Sequence, residues 1–392
     1  MRNLVIISLL LLISSCEPEE ETTNHLKMEF RAVLDGSADQ YLNFRKDLDS
    51  TSFPRSYENA HLVTSNSDWW CSGFYPGTLL QLYENSGKES LKVEALRVLD
   101  VLEKEQFNTS THDLGFMMFC SFGKAFKLFP SESYKQILIN SAKSLATRFD
   151  STTQTIRSWD SGPEDFLVII DNMMNLELLF WATETTGDST YFNIATTHAN
   201  TTLKNHFRPD NSSYHVLSYV PETGAVQQKK TAQGYSDNSA WSRGQSWGLY
   251  GYTAAYRWTK NEQYLKQAIA IAEFMINHEN MPEDYIPFWD FDAPDIPNTQ
   301  RDASAGAIMA SALLELHKYV DNEKSDQYFS IAETILKTLS RSPYLLKADE
   351  KSGFLLDHSV GHKPANSEVD VPLTYADYYF VEALLRYLEL DQ

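Results

Sequence analysis

Tight reversals punctuate this chain after every second helix-like stretch: Ser86-Gly87-Lys88, Phe129-Pro130, Thr186-Gly187 and Thr259-Lys260. Between them apolar residues recur at helical spacing over 26–46, 71–86, 89–107, 114–128, 131–149, 171–186, 188–206, 242–259, 261–278, 303–318, 323–340 and 374–390, and clear alternating strands are scarce. The pattern predicts twelve helices in an all-α fold. Short turns make antiparallel neighbours, so the helices pair as hairpins, while the alternate connections are mostly long and aromatic-rich. A faint repeat agrees. Leu91 and Ala95, Tyr191 and Ala195, Tyr264 and Ala268, and Tyr328 and Ala332 each sit four apart, on one face of an odd-numbered helix. Six hairpins closing in a ring make an (α/α)6 barrel, with the even helices inside and the long connections gathered at one end, where function is expected. An open solenoid of hairpins is the competing architecture.

The barrel is expected as a single catalytic domain over 26–392. Ahead of it, Arg2, the apolar run 4–13 and the box Ile13-Ser14-Ser15-Cys16 resemble a bacterial lipoprotein signal, with 1–15 removed and Cys16 lipidated. The run is too short to span a bilayer. The acidic stretch 16–25 reads as a flexible tether, which implies a lipoprotein anchored in the periplasm or on the outer surface of a Gram-negative bacterium. Membrane contact is expected through that anchor alone. A net charge of -20 without any Lys/Arg run argues against a nucleic-acid partner. Cys71 and Cys120 remain after processing and read as two thiols with no metal-ligand spacing around them.

The residues best suited to chemistry fall just before, or at the start of, the even helices. Trp69 and Trp70 precede the second, His112 and Asp113 the fourth, Trp159, Asp160 and Asp171 the sixth. His215, Gln233, Arg243 and Trp247 surround the start of the eighth, Asp290, Arg301 and Asp302 that of the tenth, and His358, His362, Lys363, Asp370 and Asp377 that of the twelfth. Taken singly, each is more often a helix cap or a core residue. Six loops with the same bias point instead to a sugar site, where rings stack on aromatic faces and polar groups read hydroxyls. Asp171 is the sharpest candidate. It closes the apolar run Phe166-Leu167-Val168-Ile169-Ile170, so its carboxyl is expected where water is scarce, with a raised pKa and a proton to give near neutral pH. The alternative is that it caps the next helix. Asp113 and Asp171 together are the kind of carboxyl pair that glycosidases use. No His-Glu-x-x-His, cysteine pair, nucleophile elbow or phosphate loop is present, so no metal is expected.

Several blocks, in chain order, resemble one family. Trp70 with Gly73-Phe74-Tyr75-Pro76-Gly77, His112-Asp113-Leu114-Gly115-Phe116, Ile170-Asp171-Asn172-Met173-Met174-Asn175, the block Gly234-Tyr235-Ser236-Asp237-Asn238-Ser239 with Trp241-Ser242-Arg243-Gly244-Gln245-Ser246-Trp247, Arg301-Asp302-Ala303-Ser304-Ala305 and Tyr375-Ala376-Asp377 are similar to the unsaturated glucuronyl hydrolases of glycoside hydrolase family 88. The resemblance implies an (α/α)6 barrel that removes a 4,5-unsaturated uronic acid from the non-reducing end of lyase-generated oligosaccharides, with no metal or organic cofactor. It implies that Asp171 protonates C4 of the vinyl ether and then takes a proton from the water that adds at C5. Asp113 would hold ring hydroxyls with His112 beside it. His215, Gln233, Arg243 and Trp247 match substrate-contacting positions, and Trp70 and Trp159 would stack on sugar rings. Arg243, whose fork suits a planar anion, is expected as the cation for the substrate carboxylate. One departure concerns sulfate. Members that favour sulfated fragments resemble one another in a Ser-x-Ser-x-Lys segment, whereas this chain has Ser359-Val360-Gly361-His362-Lys363 and lacks the middle hydroxyl. Competing readings are an unsaturated galacturonyl-rhamnose hydrolase or an inverting glycosidase on the same fold, and a non-catalytic surface glycan-binding lipoprotein.

Overall fold

The computed structural model describes residues 19–160, 162, 164–348 and 350–390. Its main helices are α1 (Glu19–Gln40), α2 (Phe74–Ser86), α3 (Glu89–Leu102), α4 (a π-helical Gly115–Gly123 continued by Lys124–Leu128), α5 (Glu132–Ala146) and α6 (Leu176–Thr186). The second half adds α7 (Ser189–Asn205), α8 (Ser242–Thr259), α9 (Glu262–Asn277), α10 (Ala303–Leu316), α11 (Asn322–Leu339) and α12 (Thr374–Glu389). The predicted helices are all present, with ends shifted by a few residues.

Three of the four tight turns have a common cause. Gly87, Gly187 and Lys260 follow α2, α6 and α8 in the left-handed conformation, and each returns its N–H to a carbonyl of the last turn. Each hairpin then packs its odd helix against its even one. The even helices are buried almost all round: every residue of α10 is buried, and so are those of α8 from Ser242 to Ala255. The odd helices are amphipathic, and the repeat pairs Leu91/Ala95, Tyr191/Ala195, Tyr264/Ala268 and Tyr328/Ala332 all turn inward. Contacts run from α2 through α4, α6, α8, α10 and α12 and back to α2, so the ring is closed. This is an (α/α)6 barrel, not a solenoid.

Two expectations need correction. Strands are not negligible: the long connections carry β1 (Phe53–Glu58), β2 (His61–Ser65), β3 (Phe149–Asp150), β4 (Thr155–Ile156), β5 (Phe166–Ile169), β6 (Val216–Tyr219), β7 (Val226–Lys230), β8 (Ser359–His362) and β9 (Ser367–Val371). They form the antiparallel pairs β1–β2, β3–β4 and β8–β9 and a three-stranded sheet in the order β5-β6-β7. All are six residues or shorter, and β5 is buried on both faces, so neither length nor alternation announces them. The stretch 16–25 expected as a tether is also partly helical, because α1 begins at Glu19. The signal 1–15 and Cys16 lie outside the described residues.

The end of the barrel away from the strands holds a cleft of about 520 Å³. Its two arginines are ion-paired: Arg257 meets Glu315 and Glu177, and Arg386 meets Glu315 at 2.9 Å and Glu382 at 3.3 Å. No helix among the described residues is long and apolar enough to cross a membrane.

Inner helices approach closely where glycine allows it. A Cβ on Gly251 of α8 would lie 2.5 Å from Met173 Cβ and 3.1 Å from its carbonyl carbon, in the turn that carries Asp171. These atoms are rigidly placed, so overpacking by about 1–3 kcal/mol outweighs the roughly 1 kcal/mol that alanine contributes inside a helix. Gly251→Ala is therefore expected to lower the melting temperature and the activity together; an unchanged or raised melting temperature would contradict this packing.

Candidate active site

Asp171 is delivered by a strand. In the β5–β6 ladder Ile169 stands opposite Val216. The pairing continues as Ile170 N–H donates to His215 O at 3.0 Å, after which the chain turns into the 3-10 segment Ile170–Asn175. His215 Nε2 then lies 3.8 Å from Asp171 Oδ2. This oxygen is buried with no hydrogen-bond partner, so Asp171 has an unmet capacity that a cap would not leave. Burial pushes its carboxyl up to about 7, with Arg243 opposing and Asp113 adding to the rise.

The proton on His215 is fixed by its neighbours. Nδ1 accepts the backbone N–H groups of Ala232 and Gln233, both at 3.1 Å, which leaves the proton on Nε2, the nitrogen facing Asp171. Burial holds this imidazole well below its usual range, so it is neutral at pH 7. Asp113, just ahead of α4, is the second acid. Its Oδ1 accepts from Asn175 Nδ2 at 3.4 Å and its Oδ2 from Thr111 Oγ1 at 3.4 Å. Burial raises it to about 7 against the pull of those two bonds. His112 Nε2 lies 3.2 Å from Asp113 Oδ1, and burial holds His112 down to about 3.

A cavity of about 70 Å³ in the mouth joins Trp70, His112, Asp113, Trp159, Asp171, Gln233 and Arg243, with Phe116 and Ile169 as apolar wall. Trp159 is hooked to the edge of β5 opposite Leu167 and meets the His215 ring edge-on at 5.9 Å. Trp70 is held by Phe116 and Tyr375. Two acids that titrate near neutrality and the uncharged imidazole of His112 thus share one small, half-apolar space, while His215, an expected substrate contact, stands behind Asp171 and is not part of the cavity wall. One carboxyl can hold a proton at pH 7 and exchange it with a bound molecule.

Two more of the expected contacts are placed differently. Trp247 is fully buried and packs on Phe116, Tyr375 and Tyr379, so it supports the wall and does not touch the cavity. Arg243 does line the cavity, but its fork is already engaged: Nη1 with Asp302 at 3.2 Å and the Val360 carbonyl, Nη2 with Gln233 Oε1 and, at 2.6 Å, the Gly361 carbonyl. It braces three loops, and its expected role as the free cation for a carboxylate is corrected accordingly. Several other mouth acids are scaffolding. Asp302 caps α10, Asp290 accepts the Tyr235 N–H and Ser239 Oγ, and Asp377 accepts the N–H groups of Leu355 and Leu356. Asn175 had no assigned role. It sits four residues past Asp171, and its side chain ties that segment to Asp113 and, through Oδ1, to Phe116 N–H at 3.0 Å. A fully buried amide at a helix start was the available signal. Among the described residues no group of three or more His, Cys, Asp or Glu is placed to hold a metal ion, and Cys71 and Cys120 are free thiols.

Fold and site together define a class: a helical-barrel glycosidase with a pair of raised carboxyl groups at its mouth. The sequence pattern of Glycosyl Hydrolase Family 88 matches residues 49–254. The chain is 48% identical over 344 residues to an unsaturated glucuronyl hydrolase of Formosa agariphila, covering 86% of this chain and 85% of that one. It is 31% identical to an unsaturated chondroitin disaccharide hydrolase of Streptococcus pyogenes, covering 85% and 84%. A crystal structure of an unsaturated glucuronyl hydrolase specific for heparin superposes with a TM-score of 0.90 at 45% identity, covering 93% of this chain and 98% of that one. This chain belongs to glycoside hydrolase family 88 and is an enzyme of the unsaturated glucuronyl hydrolase kind.

The raised acids carry a stability cost with a defined sign. For Asp171 the folded value of about 7 exceeds the free value of 3.8, so the folded state holds its proton more tightly than the unfolded chain does. Below the free value the cost of ionising it is absent; above the folded value it is complete, so this group weakens the fold as pH rises between them. Asp171→Asn is expected to raise stability by on the order of 1–3 kcal/mol at about pH 8 and by much less near pH 4. Thermal melts of both proteins at the two pH values test this, and a gain of equal size at both would show that residue 171 is not a raised acid.

Proposed function

We propose that Asp171 is the acid, and then the base, in removal of a 4,5-unsaturated uronic acid from the non-reducing end of lyase-generated oligosaccharides. The observation that carries the assignment is its buried, unpartnered Oδ2 on the cavity, in a carboxyl that titrates at about 7. The protonated carboxyl gives its proton to C4 of the vinyl ether, and positive charge develops at C5 and the ring oxygen. Water adds at C5 and its proton returns to the Asp171 carboxylate, so the group ends as it began. The resulting hemiketal opens at the C5–ring oxygen bond, leaving a ketone at C5 and a hemiacetal at C1. That hemiacetal then releases the remaining sugar as an alcohol.

The neighbours divide the work. Neutral His215 points its Nε2–H toward the Asp171 carboxyl and steadies it when ionised, at no charge cost. Asp113, tied to Asn175, accepts from ring hydroxyls and holds the ring against Trp70 and Trp159. Gln233, braced by Arg243, offers its amide to the sugar. The similarity to a heparin-specific hydrolase and to chondroitin disaccharide hydrolases supports glycosaminoglycan fragments as the substrate class. Against Gly361 a Cβ would lie 2.6 Å from both Cβ and Oε2 of Glu368, so the place of the absent serine is filled by a carboxylate. This favours leaving sugars without a 6-sulfate.

Hydration destroys the conjugated double bond, so its ultraviolet absorbance falls with turnover; cleavage of a saturated glycoside gives no such signal. Asp171→Asn is expected to lower kcat by about 10³-fold or more while substrate binding stays measurable, and activity within tenfold of wild type would remove Asp171 from the chemistry. Because the acid form of Asp171 is required first, kcat/KM should fall as pH rises above its value of about 7.

We also read the protein as a lipoprotein anchored through Cys16. Expressed in a Gram-negative host, wild type is expected in the membrane fraction and Cys16→Ser in the soluble fraction. The same distribution for both would refute the anchor.

A further inference from the structure

The cavity is small. At about 70 Å³ it is suited to the one sugar that is cleaved, so the sugars beyond the cleaved bond lie outside it, against the rim. The cations nearest that rim are mostly engaged. Arg243 braces four acceptors, Lys363 donates to Gln300 Oε1 at 2.6 Å, and Arg148 is held by Asp160 and the carbonyls of Thr109 and Ser158.

Arg55, on β1, is different. Its Nε donates to Glu368 Oε1 at 2.6 Å, and its guanidinium lies 4.6 Å over the indole of Trp69. Among the described residues neither Nη group has a hydrogen-bond partner. The side chain is 26% exposed, and Trp69, at 40%, is among the most exposed large apolar residues of the protein.

Both members of this pair connect to the cavity wall, Trp69 through its chain neighbour and Arg55 through Glu368 and Gly361. Trp69 precedes Trp70, which lines the cavity. Glu368 lies across Gly361, whose carbonyl holds Arg243 on the cavity wall. A guanidinium fixed by a carboxylate on one edge and an indole on its face is pre-organised, with its remaining N–H fork turned to solvent. That fork suits a planar or tetrahedral oxyanion bound by two hydrogen bonds.

We infer that Arg55 and Trp69 form a rim subsite that takes an oxyanion, carboxylate or sulfate, carried by the sugars beyond the cleaved bond. This rests on the proposed function and extends it to the leaving part of the substrate. The indole supplies a face for a sugar ring, and the guanidinium reads its charge. The subsite also answers the acidic character of the protein, because a pre-paired local cation acts inside the roughly 8–10 Å beyond which salt screens the net charge.

Three substrates test it with wild type, Arg55→Gln and Trp69→Ala: an unsulfated unsaturated disaccharide, an N-sulfated unsaturated disaccharide, and an unsulfated unsaturated tetrasaccharide whose third sugar carries a carboxylate. For Arg55→Gln, KM is expected to rise about tenfold on one or both charged substrates and less than twofold on the unsulfated disaccharide, with kcat unchanged. A rise on the N-sulfated disaccharide alone names sulfate as the group; a rise on the tetrasaccharide alone names the carboxylate. Trp69→Ala is expected to raise KM on the same substrates. Equal changes on all three substrates, or no change on any, overturns the subsite. Wild type that leaves the absorbance of all three intact would instead refute the proposed function.

Discussion

A buried guanidinium must be surrounded by acceptors or the fold rejects it, and Arg243 meets that requirement by tying the mouth together. It rises from the start of α8 and reaches the cap of α10 at Asp302, the backbone of β8 and the side chain of Gln233. Each partner belongs to a different loop. The indole of Trp241, 4.5 Å away, lies against its face. Three connections that would otherwise be independent therefore share one charged hub, and the cavity wall inherits their rigidity. Asp302 needs this hub as much as Arg243 does, since it is itself fully buried.

The acids of the mouth sort by how many donors they meet. Asp302, Asp290 and Asp377 each accept two or more hydrogen bonds and hold backbone in place. Asp171 meets almost none, and Asp113 meets two long ones. Burial lifts Asp290 and Asp377 as well as Asp171 and Asp113, so a raised carboxyl alone does not mark the reacting group; an oxygen on the cavity that no donor meets does. The imidazoles follow the same logic with opposite sign. Burial keeps His112 and His215 uncharged, so neither offsets the acids by becoming a cation.

Much of the barrel was legible in the sequence, because helices of eleven or more residues with a buried face repeat their apolar positions often enough to be read, and Gly87 and Gly187 mark where two of them stop. Ring closure was not legible: it depends on α12 meeting α2, a contact between chain ends that no local pattern encodes. The strands escaped because two to six residues cannot show a period, and β5 reads as a plain apolar run. At the site, Asp171 stood out because a charged residue at the end of such a run is locally anomalous. The places of Trp247 and Arg243 did not follow from their motif, since a shared motif gives proximity to a site without saying which side chains face the ligand and which stand behind it. Asn175 is the converse case, a residue in plain view whose partner, Asp113, lies 62 positions away.

Closure of the ring by α12 also makes the mouth depend on residues remote from its acids in sequence. Tyr375 and Tyr379 of α12 back the wall that Trp70 and Trp247 form, and Asp377 holds the segment at Leu355 and Leu356 that leads into β8. A chain without α12 would keep its acids but lose the chamber around them, so the chemistry of the mouth is held by the helix that lies farthest from Asp113 in sequence.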